Sequence, residues 1–180
     1  MKKVFATLLC LVMLLGCAAV AETAEKTQLS TVNMNGMFQL QCTLPEGYRI
    51  EEIESGEAAY VAMFDAGEKQ PLLTLSIAFN ELYSDVARMN DLDAESLALI
   101  EESFRAEDDV EITYAETAYG TKVMLVREKE GTVDYVDFYS IYLGYEIELV
   151  AASMDIENGL TDEQIQMVID FLSDLDFVAL

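Results

Sequence analysis

The sequence predicts an α+β fold in which one antiparallel β-sheet is flanked by helices, and three observations support this prediction. Residues 133–153 form two runs of alternating apolar and polar residues separated by Leu143-Gly144, which is the pattern of a β-hairpin. Two further segments, 93–107 and 161–172, carry apolar residues at helical spacing. The glycines that follow residue 30 fall between such segments rather than inside them, as turn residues do.

The first half of the chain is predicted to form short strands. Asn35-Gly36 is a dipeptide typical of tight hairpin turns, and it joins a short run ending at Met34 to an alternating run that follows. Pro71 precedes another run, at a strand start where proline is tolerated. The predicted strands are 37–44, 48–53, 59–64 and 72–79, and residues 80–90 are predicted to form one or two helical turns.

Two longer helices are predicted from their capping residues. Asp93 is a suitable N-cap, and Leu97, Ile100 and Phe104 after it share one helical face, which predicts a helix over 93–107. Thr161-Asp162-Glu163-Gln164 is a capping box, in which the first and last side chains each bond the other's backbone N–H. It predicts a second helix that carries a stripe of apolar residues up to residue 172.

The strands of the second half are predicted to lie side by side, at 110–114, 121–127 and in the hairpin. A two-residue turn at Glu130-Gly131 would set Arg127 opposite Asp134, and Leu125 opposite Val136. The Leu143-Gly144 turn would set Phe138 opposite Leu149, and Ser140 opposite Ile147. One face of all three strands is then apolar, which supports this register because a slip of one residue would invert it.

The opposite face of these strands is not purely polar. Tyr135, Tyr139, Ile141 and Val150 lie on it. Because large apolar side chains are rarely left in water on a whole sheet face, we expect helices or long loops to cover both sides of the sheet.

The N-terminus has the three regions of a secretory signal peptide over residues 1–21: two lysines, an apolar stretch and small residues. Ala19-Val20-Ala21 fits simple cleavage. Leu14-Leu15-Gly16-Cys17 instead resembles a bacterial lipobox, which would make Cys17 a lipidation site. Both alternatives predict an extracytoplasmic protein, either secreted or lipid-anchored to the cell surface. Residues 22–28 are predicted to be a flexible lead, and 29–180 a single domain.

Charge and cysteine content limit the partners. The chain has 34 acidic and 10 basic residues and a net charge of −24. Such a field repels nucleic acid and anionic lipid, and it favours a cationic protein or small ligand. A membrane contact is expected only through an N-terminal lipid anchor. Cys42 is the one cysteine after the leader, and its strand parity with Leu40 and Leu44 predicts a buried, unreactive thiol.

The segment Phe38-Gln39-Leu40-Gln41-Cys42-Thr43-Leu44-Pro45-Glu46-Gly47-Tyr48 resembles the F-x-L-x-x-P-x-G-[YW] opening of PsbP-like proteins. The strand 144–149 and the closing segment 171–177 resemble the end of that family. The resemblance covers about residues 34–180 and implies an α/β/α sandwich, with an antiparallel sheet between helices. It also implies a secreted or lipid-anchored bacterial protein, and it supplies no catalytic residues.

Several catalytic classes are excluded by composition. The chain contains no histidine, which removes Ser-His and Cys-His nucleophile systems and imidazole metal sites.

Glu146 and Glu148 point the same way on one strand, with Cα atoms roughly 7 Å apart, so a carboxylate-dependent hydrolase stays an alternative. Calcium-dependent surface association is another alternative, for which the acidic loop supplies oxygen ligands: Asp155, Glu157, Asn158, Asp162 and Glu163.

The preferred hypothesis is a binding module that is not an enzyme and needs no cofactor. Tyrosines gather on the central hairpin, and tyrosine suits interfaces because it joins an apolar ring to a polar tip. Tyr135 and Tyr139 share a strand face, which predicts a partly open patch beside Glu148. These three residues form the candidate binding patch.

Overall fold

The computed structural model describes residues 27–32, 38–55, 59–67, 70–105, 110–130, 133–153, 155 and 158–179. The leader, with Cys17, lies outside these residues. The strands are β1 Thr27–Val32, β2 Phe38–Cys42, β3 Arg49–Ser55, β4 Ala59–Asp65, β5 Leu72–Phe79, β6 Glu111–Glu116, β7 Lys122–Glu130, β8 Val133–Tyr142, β9 Tyr145–Ser153 and β10 Asp176–Ala179, and the α-helices are α1 Ala94–Arg105 and α2 Asp162–Asp174.

The described strands form two antiparallel sheets. Seven strands lie in the order β3-β4-β5-β9-β8-β7-β6, and three lie in the order β1-β2-β10. The hairpin β8–β9 is central in the larger sheet, where β9 also pairs with β5 and β8 with β7. The predicted α+β class with an antiparallel sheet is therefore confirmed. The separate three-stranded sheet was not predicted.

One face of the larger sheet packs against α2 and the smaller sheet. Phe138 and Leu149 are fully buried there, as their strand parity predicts. Phe64 of β4 meets Phe171 of α2 edge to face, with ring centroids 5.3 Å apart. Cys42 of β2 is buried in the same core, which confirms the prediction of a buried thiol. This face supplies most of the hydrophobic stabilisation.

The opposite face has a second apolar cluster beneath α1. Ile100 of α1 packs with Met124 and Val126 of β7 and with Tyr139 and Ile141 of β8. The prediction that both sides of the sheet are covered is thus confirmed, although α1 lies over the β7–β8 part of the face. No helix among the described residues combines the length and apolar character needed to cross a bilayer.

The register of the β8–β9 hairpin is as predicted, with Phe138 opposite Leu149 and Ser140 opposite Ile147. The predicted register of β7 against β8 is wrong by two residues. Arg127 lies opposite Val136, and Glu130 pairs with Val133, so Glu130 belongs to the strand rather than to the predicted turn. A turn displaced by one residue moves the register by two, which preserves the face of every side chain and leaves the apolar pattern unable to detect the error.

The helix starts follow the predicted capping residues. Asp93 Oδ1 accepts a hydrogen bond from the Ser96 N–H at 2.7 Å, directly before α1. Thr161 and Gln164 form the capping box of α2, with both reciprocal bonds present. The segment 80–90 contains two 3₁₀ turns, Glu81–Tyr83 and Met89–Asp91. Strand β1 begins at Thr27, so residues 27 and 28, which were predicted to belong to the flexible lead, lie in a strand, and residues 22–26 lie outside the described residues.

The β8–β9 turn is hydrogen-bonded to the 80–92 segment. Leu143 has φ 51° and Gly144 has φ 81°. The Leu143 N–H donates to Ala87 O at 3.0 Å, and the Gly144 N–H donates to Val86 O at 3.1 Å. A Cβ on Gly144 would lie 2.9 Å from the ring of Phe79 and 3.3 Å from Tyr83 O. Gly144 is therefore required both by its backbone conformation and by space.

Gly144→Ala should lower the free energy of unfolding by about 1–3 kcal/mol, because alanine adopts this φ with strain and meets Phe79. Chemical denaturation of the purified variant measures the loss. Gly120→Ala is a matched control, since Gly120 has φ 70° but nothing lies within 4 Å of its Cβ position. An equal loss in both variants would show that the contact with Phe79 does not matter.

Candidate functional site

A groove lies between α1, the 80–92 segment and the face formed by β7, β8 and β9. Its volume is about 790 Å³, which is in the range of small-molecule sites. Leu82 of the 80–92 segment and Leu99 of α1 lie at this groove and are 85% and 62% exposed. Large apolar side chains exposed beside a cavity are typical of binding surfaces.

The floor of the groove is built by strand alternation. Tyr135, Asp137 and Tyr139 occupy alternate positions of β8, and Glu146 and Glu148 do so on β9. Tyr139 lies directly opposite Glu148. All five side chains line the same groove. The structure therefore brings the predicted patch, Tyr135, Tyr139 and Glu148, into one concave site.

Tyr139 is a rigid part of the wall. It is only 4% exposed, and its ring meets Phe104 of α1 edge to face at 5.5 Å. Its hydroxyl donates to Glu146 Oε1 at 2.7 Å. Burial, and then the bond to the Glu146 carboxylate, raise the pKa of Tyr139 above its usual value. Tyr139 therefore stays a neutral donor and holds the Glu146 carboxylate in place.

Asp137 is the unusual group of the site. It lies between Val126 of β7 and Val150 of β9 in the ladder. Its Oδ1 atom is buried and has no hydrogen-bond partner among the described residues. Burial, with a smaller contribution from the Glu148 charge, raises the pKa of Asp137 to about 7. A buried acceptor without a partner is costly and is uncommon in folded proteins, so it marks a place where a donor belongs.

Sequence reasoning did not select Asp137. The sequence did contain a signal for this residue. Asp137 shares the strand face of Tyr135 and Tyr139 and is flanked across the sheet by valines. The pattern alone could not show that α1 and the 80–92 segment form a groove together with the strand face that carries Asp137. An aspartate on a solvent-covered sheet face would look the same in the sequence.

Glu148 adds to the negative charge of the groove. Burial, and then the neighbouring Glu146 charge, raise the pKa of Glu148. The predicted pair Glu146 and Glu148 therefore lies in the groove together with Asp137. The described residues contain no group of three or more acidic or cysteine side chains arranged to hold a metal ion.

The acidic loop proposed for calcium contains hydrogen bonds between its own residues. Asp155 Oδ1 accepts from the Asn158 N–H at 3.2 Å, and Asp155 Oδ2 accepts from the Asn158 side-chain amide at 3.1 Å. Asp162 and Glu163 are exposed in the first turn of α2. Glu157 lies outside the described residues. Among the described residues, this loop has the geometry of a helix start.

A second cavity of about 330 Å³ lies at the other side of the sheet, near the end of α2. Arg88 lines it together with several hydroxyl groups, two of which donate to backbone carbonyls. Ser140 Oγ donates to Lys122 O and Ser173 Oγ donates to Ile169 O, each at 2.8 Å. It is smaller than the groove, and among its described lining residues no buried side-chain acceptor lacks a partner, so the groove is the better candidate site.

No protein-family model and no curated protein matches the sequence. The functional assignment therefore rests on the geometry of the site.

Proposed function

We propose that the protein is an extracytoplasmic binding module, secreted or lipid-anchored, that holds a cationic ligand in the groove without catalysing a reaction. The observation that carries this proposal is the convergence of Asp137, Glu146 and Glu148 with Tyr135 and Tyr139 on one concave surface. Three carboxylates at a partly buried site attract positive charge more strongly than the same groups in water.

The aromatic rings favour the same class of ligand. A cation close to the face of a tyrosine ring is stabilised by the ring's quadrupole, by about 0.5–1 kcal/mol at exposed sites and more when it is desolvated. Tyr135 is half-buried in the groove and lies on the same strand face as Asp137. The apolar rim at Leu82 and Leu99 suits a ligand whose body is hydrocarbon rather than fully polar.

The proposed location and family rest on the sequence. Residues 1–21 have the composition of an export signal, and Cys17 is the proposed lipidation site if the lipobox is used. A PsbP-like fold is proposed from the resemblance over residues 34–180. The antiparallel seven-stranded sheet, with α2 on one face and α1 on the other, supports this proposal because the family arrangement has helices on both sides.

Glu148→Gln and Tyr135→Ala should each weaken binding of small organic cations by about tenfold, which corresponds to about 1.4 kcal/mol. The first change removes a charge from the groove, and the second removes an aromatic face. Saturation-transfer NMR with a panel of organic cations, and with neutral and anionic analogues of each, identifies the binders. Titration by NMR then measures the affinity for the wild type and the variants.

Two exposed residues outside the groove provide matched controls. Glu116→Gln removes a charge from β6, and Tyr119→Ala removes a ring that lines the second cavity. Both controls should bind as the wild type does. Binding that is equal for neutral analogues, or that is lost in the Tyr119 variant rather than in the Tyr135 variant, would contradict the proposal.

A carboxylate-dependent hydrolase is the second candidate, and Asp137 is the observation that favours it. A carboxyl group with a pKa of about 7 is protonated enough at neutral pH to act as a general acid, and Glu148 could serve as the second carboxylate. Turnover of a chromogenic glycoside by the wild type, abolished in both Asp137→Asn and Glu148→Gln, would select this candidate. Binding without turnover selects the binding module.

Calcium-dependent surface association receives less support. Asp155 is engaged in a turn with Asn158, and Asp162 and Glu163 lie exposed in the first turn of α2, where acidic residues favour the helix dipole. Calorimetry with calcium measures this directly, and heat above dilution would be needed to maintain this alternative.

A further inference from the structure

We propose that the groove selects a primary or secondary ammonium carried on an apolar body, with an N–H of the ammonium donating to the Asp137 carboxylate. This inference rests on the proposed binding function and names the ligand chemistry of the same site. Its three arguments come from the unpartnered oxygen, the neighbouring charges and the apolar rim.

The unpartnered oxygen requires a hydrogen-bond donor. Leaving a buried acceptor unsatisfied costs about 1–3 kcal/mol, and more for a charged group. Asp137 Oδ1 has no partner among the described residues, although the side chain lines the groove. The Asp137 side chain itself lines the groove, so a donor that enters the groove can bond its carboxylate. A quaternary ammonium has no N–H and leaves the acceptor unsatisfied.

The neighbouring charges select a cationic donor over a neutral one. Glu148 is diagonal to Asp137 across the β8–β9 ladder, and Glu146 follows on the same face of β9. Diagonal neighbours in an antiparallel pair are about 7–8 Å apart, so one cation near Asp137 also feels the Glu148 charge. Among the residues that the structure describes, no lysine or arginine lines the groove to neutralise these acids. A neutral hydroxyl or amide would satisfy the oxygen and leave the charges uncompensated.

The rim and the size determine the rest of the ligand. Leu82 and Leu99 are exposed beside Phe104 and Tyr83, and all four line the groove. A ligand body that covers these side chains removes apolar surface from water, at about 25 cal/mol per Å². The volume of about 790 Å³ accommodates an aryl or alkyl chain together with the ammonium. The ligand is therefore an amphipathic amine rather than a compact polar cation.

Binding of such an amine should release a proton. Near neutral pH the Asp137 carboxyl is partly protonated, and an ammonium favours its charged form. Affinity should therefore rise by about tenfold between pH 6 and pH 8. The other titratable groups that face the same groove are Tyr83, Glu128, Tyr135, Tyr139, Glu146 and Glu148. Of these, Glu148 has a pKa shifted in the same direction as Asp137 and contributes to the same trend.

Isothermal titration calorimetry with three probes tests the inference. The probes are 2-phenylethylamine, its N,N,N-trimethyl analogue and 2-phenylethanol, which share one apolar body and differ in charge and N–H content. The wild type at pH 8 should bind the primary amine at least tenfold more tightly than either analogue. Titrations at pH 7 in two buffers of different ionisation enthalpy should show net proton release when either cation binds and none when 2-phenylethanol binds.

Asp137→Asn is the decisive variant, and Glu116→Gln is its matched control. In Asp137→Asn the preference for the primary over the trimethyl ammonium should disappear, and the proton release and pH dependence should fall to the part that Glu148 contributes. In Glu116→Gln all three should be kept. Circular dichroism confirms that the variants are folded.

The results separate this inference from the proposed function. Equal binding of the primary and trimethyl ammonium to the wild type would overturn the role of the N–H and leave a cation-binding groove. Absence of binding by both cations, or equal binding by 2-phenylethanol, would overturn the cation-binding function as well. A preference for the primary amine that survives in Asp137→Asn would show that another acceptor receives the N–H.

Discussion

Asp134→Ala should destabilise the protein by about 3–5 kcal/mol, because it leaves a partly buried guanidinium without its counter-charge. Asp134 is 4% exposed. Its Oδ1 accepts from Arg127 Nε at 3.0 Å, and its Oδ2 accepts from the Arg127 Nη2 at 2.5 Å and from the Leu160 N–H at 2.8 Å. Arg127 in turn donates to Leu160 O at 3.2 Å. The Arg127–Asp134 ion pair therefore links β7 and β8 to the segment that leads into α2.

Chemical denaturation at neutral pH measures this loss, and Glu102→Ala is a matched control. Glu102 is an exposed carboxylate on the outer face of α1, so its removal should change the free energy of unfolding by no more than about 0.5 kcal/mol. The double variant Arg127→Met/Asp134→Leu should be less destabilised than Asp134→Ala, since it removes both charges together. If Asp134→Ala were as mild as Glu102→Ala, the ion pair would have no structural role.

Asp137→Asn should change the pH dependence of stability by about 4 kcal/mol, the second large effect. The folded pKa of Asp137 is about 7 against an ordinary value of 3.8, and each pKa unit corresponds to about 1.4 kcal/mol. Between these values the folded state binds more protons than the unfolded state, so stability falls as pH rises. The wild type should therefore lose stability relative to Asp137→Asn from about pH 4 to pH 7, and the difference should level off above pH 8.

Urea denaturation of the two proteins at one-unit steps from pH 4 to pH 9 measures this difference. Subtraction removes the contribution of the acidic residues that lie far from Asp137. Glu116→Gln is the control, because Glu116 is exposed on β6 and should give a curve parallel to the wild type. Parallel curves for wild type and Asp137→Asn would show that Asp137 is solvated and would remove the basis for its proposed role.

The correct sequence predictions concern features whose signal is local. The turn at Leu143-Gly144 sets the register of Phe138 against Leu149 directly, because a two-residue turn leaves one pairing that keeps the apolar residues on one face. The capping box at Thr161 likewise involves residues three apart. The error in the β7–β8 register has the same origin. A glycine indicates a turn but does not show which neighbouring residue is the other turn residue.

The candidate site was only partly predictable. Period-two alternation places Tyr135, Tyr139 and Glu148 on one face whatever the rest of the chain does, and the structure brings them into one groove. The same alternation includes Asp137, but nothing in the pattern distinguishes a carboxylate in water from one beneath a helix. The unpartnered oxygen arises from burial, and so does most of the increase in the pKa of Asp137.

Local sequence patterns are sufficient to predict the antiparallel class of the sheet, the order of its central strands and the face on which each side chain of β8 and β9 lies. These depend on turn chemistry and on the two-residue period of a strand, which act over a few residues. The tertiary structure alone decided that β10 pairs with β2 across more than a hundred residues of chain, and that α1 and the 80–92 segment enclose Asp137. Such arrangements follow from burying apolar surface between distant segments, and that balance is a property of the whole chain.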